Sequence, residues 1–315
     1  MTPDQAPQGT ISTLLELRFP LHAGLPCRLP YCLIRVSGNE RISFLNRILT
    51  QNVPTEAPNP VFVWTALCNP QGRVLAAFRV RTDRESVSLV VESELAEALL
   101  QTLRRYMLRS RVEITLELES LIGMAGPAVS GRDGEHAPAL ILLGQDPVDG
   151  SMPRCIFMNP QPALPGRIEP GFEPGWSARD FWQGIPHIYA ISSGRFIPHA
   201  LNLMGLDAVS LRKGCYPGQE IIARTTYRGH AKRTLTLLET QTPLPAGTTL
   251  LEPAQETESG WILDSCTSAT GEAWIQAVME ERVLDSAVHG DRAFALASSA
   301  GVTQDYRMIR TFKAA

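Results

Sequence analysis

From Arg233 onward the apolar residues fall into short β-type runs: Leu235 to Leu238, Thr248 to Leu251, Trp261 to Leu263 and Ala273 to Val278, each cut off by Pro, Gly, Ser or Thr. Runs this short leave no room for a helical stripe of several turns, so they bury their apolar faces by pairing edge to edge. The end of the chain therefore reads as a small all-β unit, residues 233–315, behind a domain of residues 1–232.

The earlier part has a different grammar. Tyr31 to Val36 is apolar and β-prone, Gly38-Asn39 breaks it, and Ile42, Leu45, Ile48 and Leu49 then recur at helical spacing. Val61 to Cys68 and Arg73 to Arg81 read as two strands joined by the turn residues Asn69-Pro70-Gln71-Gly72. A third strand, Val87 to Val91, leads into a helix with the stripe Leu95, Leu99, Leu103 and Tyr106. Arg104 and Arg105 near its C-terminus suit the helix dipole. Strand, hairpin and helix in this order predict an α+β domain rather than a βαβ repeat. Between Gly144 and Gly175 prolines and glycines crowd together, which reads as loops or a passage between layers.

Composition narrows the function. There are 29 basic and 32 acidic residues in 315, a formal charge of −3, so the molecule as a whole has no electrostatic reason to seek nucleic acid or an anionic membrane. Any basic site must be local. The six cysteines, Cys27, Cys32, Cys68, Cys155, Cys215 and Cys266, form no CxxC pair, which argues against a zinc knuckle or a disulfide framework and for reduced thiols. No stretch approaches the roughly 18 to 20 apolar residues of a membrane span. With no basic-then-apolar leader at the N-terminus, the chain reads as cytoplasmic.

The local basic site is the run from Arg212 to Arg233, with six basic residues and one acid. It contains Lys213-Gly214-Cys215-Tyr216-Pro217-Gly218-Gln219-Glu220 and continues through Arg224, Arg228 and Lys232. Glycines on both sides of Cys215 and Tyr216 permit a tight turn that displays the thiol. Lys213 and the N–H groups of a following helix would favour a thiolate, making Cys215 a nucleophile, redox or ligand candidate. The ordinary alternative is a buried structural cysteine on a solvated basic face.

That octapeptide closely resembles the K-G-C-Y-x-G-Q-E signature of the YgfZ family of folate-binding proteins. These are relatives of the glycine-cleavage T protein that support iron–sulfur enzymes. Further segments are similar to the family's pattern: Val36-Ser37-Gly38 with Phe44-Leu45 and Leu49-Thr50-Gln51-Asn52-Val53, Cys68-Asn69-Pro70-Gln71-Gly72-Arg73, and Leu103 through Tyr106 to Arg109. Gly184-Ile185-Pro186 and Ser193-Gly194-Arg195-Phe196-Ile197-Pro198 lead into the signature as in relatives. The resemblance implies a T-protein-like folate-binding domain followed by a small β-barrel, with tetrahydrofolate in a central hole lined by the signature. It places Tyr31 and Trp176 as the aromatic partners of the pterin, joined by Tyr216, Gly218, Gln219 and Glu220. Arg224, Arg228 and Lys232 fall where they would pair with the glutamate tail. Cys215 and Lys213 are the implied reactive pair.

Departures from the family matter too. The aminomethyltransferase carries an aspartate pair on the strand after the hairpin turn, where this chain has Val74-Leu75-Ala76-Ala77-Phe78; methyl groups cannot accept a proton. Trp182 replaces a polar residue ahead of Gly184, and His199 and His230 read as surface variation rather than ligands. The resemblance implies a factor for assembly or repair of iron–sulfur clusters in a subset of enzymes, including those that modify tRNA. One conspicuous thiol is too few to hold a cluster, so no stably bound metal is expected. Its partners would be folate and, transiently, iron–sulfur enzymes or assembly proteins. The alternative is a folate-dependent one-carbon transferase acting on a small amine or on RNA, which the loss of aspartate at Ala76 and Ala77 disfavours. A module that binds RNA directly through the Arg212 to Arg233 run is the weakest reading at a net charge of −3.

Overall fold

The structure, a computed structural model, describes residues 15–21, 26–55, 62–118, 121–125, 140–142, 154–157, 173–252, 257–288, 293–299, 301 and 303–313. The chain gathers into two compact units. One takes residues 1–44, 53–63 and 78–179, and the other takes residues 45–52, 64–77 and 180–315.

The first unit is built on an antiparallel arrangement in which β2 (Tyr31–Ser37) pairs with β5 (Ser86–Glu92) on one side and β6 (Glu113–Glu117) on the other. The register sets Ile34 opposite Leu89 and Leu116, and Val36 opposite Val87 and Ile114, so like faces share one side of the pleat. The sheet order is β3-β4-β5-β2-β6, in which residues 64–68 of β3 (Val63–Cys68) and residues 74–77 of β4 (Val74–Thr82) belong to the second unit. The expected hairpin is present. The first helix, α1, is shorter than its periodicity suggests. It spans Arg41–Asn46, after which Leu49 leaves it to make an isolated antiparallel bridge to Leu67. In α2 (Ala96–Met107) Leu99, Leu100 and Leu103 are buried, continuing a stripe that Leu95 begins in the preceding 3-10 turn.

A second sheet of this unit has the order β1-β7-β9-β8, from Pro26–Arg28, Ile122–Ala125, Arg154–Phe157 and Leu140–Leu142. The stretch read as loops between Gly144 and Gly175 thus includes β9, a strand with four buried residues, and α3 (Glu173–Gln183) begins before it ends. The remainder of that stretch lies outside the described residues. Glycine and proline mark where chain direction changes, and a four-residue strand between two such clusters is too short to show a period of its own.

The second unit contains a closed barrel of order β10-β13-β12-β11-β14-β15, formed by Arg233–Thr240, Ala273–Glu280, Glu258–Thr267, Thr249–Leu251, Ala293–Ser298 and Thr303–Phe312. Its interior is packed by Leu238, Leu250, Ile262, Ile275, Ala277, Met279, Leu296 and Tyr306. Closure removes the exposed sheet edge that so many short strands would otherwise leave. The four predicted runs are four of its strands. The last two were not predicted, because β15 alternates buried Tyr306 with exposed Arg307 and never forms a contiguous apolar run. A helix, α4 (Gln219–Arg228), precedes the barrel, and α5 (Glu281–Val288) follows β13.

Candidate functional site

The signature folds as a turn that runs into α4, and the backbone of a second turn fixes its shape. Gly218 caps the helix with φ +81° and ψ 0°, the left-handed region. A Cβ built there would lie 2.5 Å from Gly72 Cα, 2.6 Å from Asn69 O and 2.7 Å from Gly72 N. Gly72 itself has φ +71° and closes the Asn69-Pro70-Gln71-Gly72 turn, in which Asn69 Oδ1 accepts from the N–H groups of Gln71 at 3.0 Å and Arg73 at 2.9 Å. Two glycine backbones therefore meet where any side chain would force them apart. The Ser193-Gly194-Arg195-Phe196 segment adds to the same assembly: Val74 N donates to Phe196 O and Gly194 N to Val74 O, each at 2.8 Å.

Lys213 is a tether. Its Nζ donates to Leu49 O and Gln51 O, both at 2.8 Å, while Thr50 Oγ1 donates to Ala208 O at 2.7 Å and Ser210 N to Thr50 O at 2.9 Å. The Leu49-Thr50-Gln51 segment is thus stitched along the residues leading into the signature. Burial pushes the Lys213 ammonium down to about 8. Tyr216 is buried, and its Oη has no hydrogen-bond partner among the described residues. Burial, and then the neighbouring Cys68 thiol, pushes that phenol well up, so it stays a neutral donor at physiological pH. Burial likewise raises Cys68 to about 12, which leaves it protonated and inert. Cys215 differs from all the others. It is the exposed cysteine of the six, and the remaining five are buried.

Beyond the turn, α4 buries Ile222 and presents Glu220, Ile221, Arg224, Tyr227 and Arg228 outward. Gln219 Nε2 donates to Lys213 O at 3.4 Å, a long contact across the turn. Glu220 lies in the first helical turn, where the dipole favours an acid. The strand after the hairpin turn carries the buried Ala76 methyl and no titratable group from Val74 to Phe78.

Tyr31 and Trp176 lie together in a core cluster of the first unit with Leu29, Leu33 and Val90. Trp176 is 2% exposed, with the Arg154 guanidinium 4.9 Å from the ring centroid. A Cβ on Gly123 would lie 2.6 Å from its Cζ3, so the ring edge rests directly on strand β7. Its Nε1–H is buried with no acceptor among the described residues. Trp176 and Tyr216, each in its own unit, are thus buried donors without an acceptor among the described residues, the kind of group that a polar heteroaromatic ring would satisfy.

One expectation needs correcting. His199 is buried, not a surface residue. It lies at 5% exposure, with Nε2 2.8 Å from Thr226 Oγ1, which itself donates to Ile222 O at 3.0 Å. Since that hydroxyl proton is used, His199 carries its hydrogen on Nε2, and burial lowers its pKa. His230 is exposed, with its Nε2 against the Glu281 carboxylate. Both line a cavity of about 260 Å³ with Thr225, Thr226, Arg233 and Glu281 at the C-terminal end of α4. Sequence reasoning also missed a buried network in which His187 Nδ1 lies 2.8 Å and Nε2 3.4 Å from the carboxylates of Asp264 and Asp180. Tyr189 Oη donates to the same Asp264 oxygen at 2.8 Å. No local pattern announces it, because Asp264 comes from β12, 77 positions along the chain from His187.

Among solved structures the chain is similar to the glycine cleavage system aminomethyltransferase T from Bartonella henselae, with a TM-score of 0.64 at 18% identity over 96% of this chain and 88% of that one. The protein thus has the aminomethyltransferase T fold, a mixed helix and sheet body with a closed six-stranded C-terminal barrel. No family model matches the chain. Among curated proteins it is 30% identical to an uncharacterized protein of Haemophilus influenzae, over 80% of this chain and 88% of that protein. It is also 30% identical to the tRNA-modifying protein YgfZ of Hamiltonella defensa, over 78% of this chain and 80% of that one. The chain belongs to the YgfZ family. Among the described residues no helix is long and apolar enough to cross a membrane.

Proposed function

We propose that this protein binds tetrahydrofolate and acts through Cys215 as a factor that supports assembly or repair of iron–sulfur clusters, including those of tRNA-modifying enzymes. The observation that carries the reading is Cys215 itself. It is an exposed thiol on a turn whose shape Gly72 and Gly218 set, in a chain whose other cysteines are buried. Tyr31 and Trp176 would take the pterin, with Trp176 Nε1 donating to a ring carbonyl or nitrogen. The family resemblance assigns the signature residues Tyr216, Gly218, Gln219 and Glu220 to folate as well. When bound, folate would supply a one-carbon acceptor or donor. The protein's own contribution is a presented thiol and an unionised Tyr216 donor.

Ala76 and Ala77 favour a maintenance factor over an aminomethyl transferase, since neither side chain can move a proton or steady a developing iminium. The test is a titration of wild type, Trp176→Phe and Tyr31→Phe with tetrahydrofolate, alongside complementation of an iron–sulfur enzyme defect by Cys215→Ala. Weaker binding by Trp176→Phe, which keeps an aromatic ring and removes the donor, supports the pocket. Equal affinity in all three proteins, or none in wild type, removes it. Full complementation by Cys215→Ala removes the role of the thiol.

A further inference from the structure

We infer that the outer face of α4 is a docking surface for single-stranded or looped RNA, with Tyr227 as a base-stacking platform and Arg212, Arg224, Arg228 and Lys232 as phosphate contacts. Exposure comes first. Tyr227 is 72% exposed and Ile221 is 40% exposed, two large apolar surfaces on a helix whose only buried residue is Ile222. At 100° per residue Tyr227, Arg224 and Arg228 fall within one arc of the helix, the two arginines one turn apart with the ring beside them.

Pairing comes second. Elsewhere in the same unit arginines have acidic partners: Arg233 with Glu258 and Glu280, Arg195 with Glu258, Arg282 with Glu252 and Glu280, and Arg307 with Glu239. Arg212, Arg224, Arg228 and Lys232 are exposed, and no side-chain hydrogen bond or ion pair is found for them among the described residues. Four arginines of this unit thus have acidic partners, and Arg73 and Arg310 donate to backbone carbonyls, whereas these four cations stand open among the described residues. The net charge of −3 is the wrong quantity for this face, because screening over about 8 to 10 Å makes a ligand respond to the charges nearest it. The one acid of α4 itself, Glu220, sits at the far N-terminal turn from Tyr227 and Arg228, and Glu281, at the C-terminal end, is engaged by His230.

An acidic protein surface would match the charges but has no use for a nearly bare aromatic ring flanked by guanidiniums. A nucleic acid strand matches both, since every base offers a π face and every linkage a phosphate. Arg224 and Arg228 are thereby given to phosphates in place of a folate glutamate tail, and the parallel folate titration below separates the two assignments.

The test is fluorescence anisotropy of a labelled tRNA transcript with the full chain, titrated from 50 to 200 mM salt. Tetrahydrofolate affinity is measured in parallel on each variant. Four phosphate contacts predict a log–log salt slope of about −3, and Arg224→Ala with Arg228→Ala should reduce its magnitude by roughly 1.5 to 2. Tyr227→Ala should weaken binding by roughly 5- to 150-fold with the slope unchanged, and Tyr227→Phe should restore it. All these side chains are exposed, so the variants should keep the wild-type unfolding midpoint. Absence of tRNA binding at 50 mM salt overturns the inference, as does an unchanged slope in the double arginine variant. Equal affinity for polyglutamate would reassign the face to an acidic protein. Lost folate affinity with intact tRNA binding in the arginine variant would return both guanidiniums to the cofactor.

Discussion

Replacing Gly218 with alanine isolates what holds the Cys215 turn in place. The residue occupies the left-handed region at φ +81°, where adding a Cβ costs about 1–2 kcal/mol. The new methyl would also meet Gly72 Cα, Asn69 O and Gly72 N at 2.5, 2.6 and 2.7 Å, and all three are backbone atoms that cannot rotate away. Relieving that overlap moves one turn against the other at a further cost of about 1–3 kcal/mol. The expected loss is therefore about 2–5 kcal/mol, and with m-values of about 1–3 kcal/mol per molar urea the midpoint falls by roughly 0.7–5 M. Gly214, four residues earlier, is the internal control, since a Cβ there meets nothing within 4 Å and its φ lies outside the left-handed region. Gly214→Ala should unfold within about 0.5 kcal/mol of wild type. Urea unfolding followed by tryptophan fluorescence compares the pair. If Gly218→Ala matches Gly214→Ala, the contact between the two turns is not what shapes the signature.

Three further outcomes follow from the charges and burial of the same region. The pKa of Lys213 is pushed down to about 8 from 10.5, so the cost of burying its charge is full below pH 8 and fades as pH rises through 10.5. For a half-buried group that cost is about 1–2 kcal/mol after discounting for solvent. Wild-type stability at this site should rise across that window, and Lys213→Met should flatten the rise; a parallel rise in the variant refutes it. His199, lowered from 6.5 by burial, resists the proton that the unfolded chain accepts, so stability should drop as pH falls below 6.5. His199→Gln, which can still donate to Thr226, should remove that part of the acid limb in thermal melts. Brief treatment of native protein with iodoacetamide should place one adduct per chain, on Cys215, and mass spectrometry showing a second cysteine labelled as fast would contradict the burial of the other five.

Much of the site was legible because its chemistry is local. An exposed thiol between glycines, a lysine two residues before it and a helix just after it lie in one short stretch, so residue types and spacing convey them. The same locality exposed the β3–β4 turn, where Asn, Pro and Gly each have a backbone reason to be present. What the sequence hid is what arises between distant segments. Nothing near Lys213 says that its ammonium ends on Leu49 and Gln51 carbonyls, and nothing near Gly218 says that another glycine fills the space of its missing side chain. His199 read as surface because polar character predicts exposure until a hydroxyl from a neighbouring helix satisfies the ring. Strand β15 escaped notice for the opposite reason: its cations Arg307 and Arg310 lie outside the barrel, and only one face of the pleat is apolar.

The tether of Lys213 to Leu49 and Gln51 spans 164 and 162 positions of sequence, and this bears on when and where the thiol turn can exist. A ribosome must release most of the chain before that turn finds its anchors. The nascent protein therefore carries Cys215 unformed until late, and contacts of such long range slow folding. A gene fragment beginning at Asp180 would encode every barrel strand and the whole signature. It would still lack both lysine acceptors and the Gly72 seat, so it should yield a barrel with a slack loop in front of it. Segments that contribute no candidate catalytic atom are in this way part of what keeps the reactive one in position.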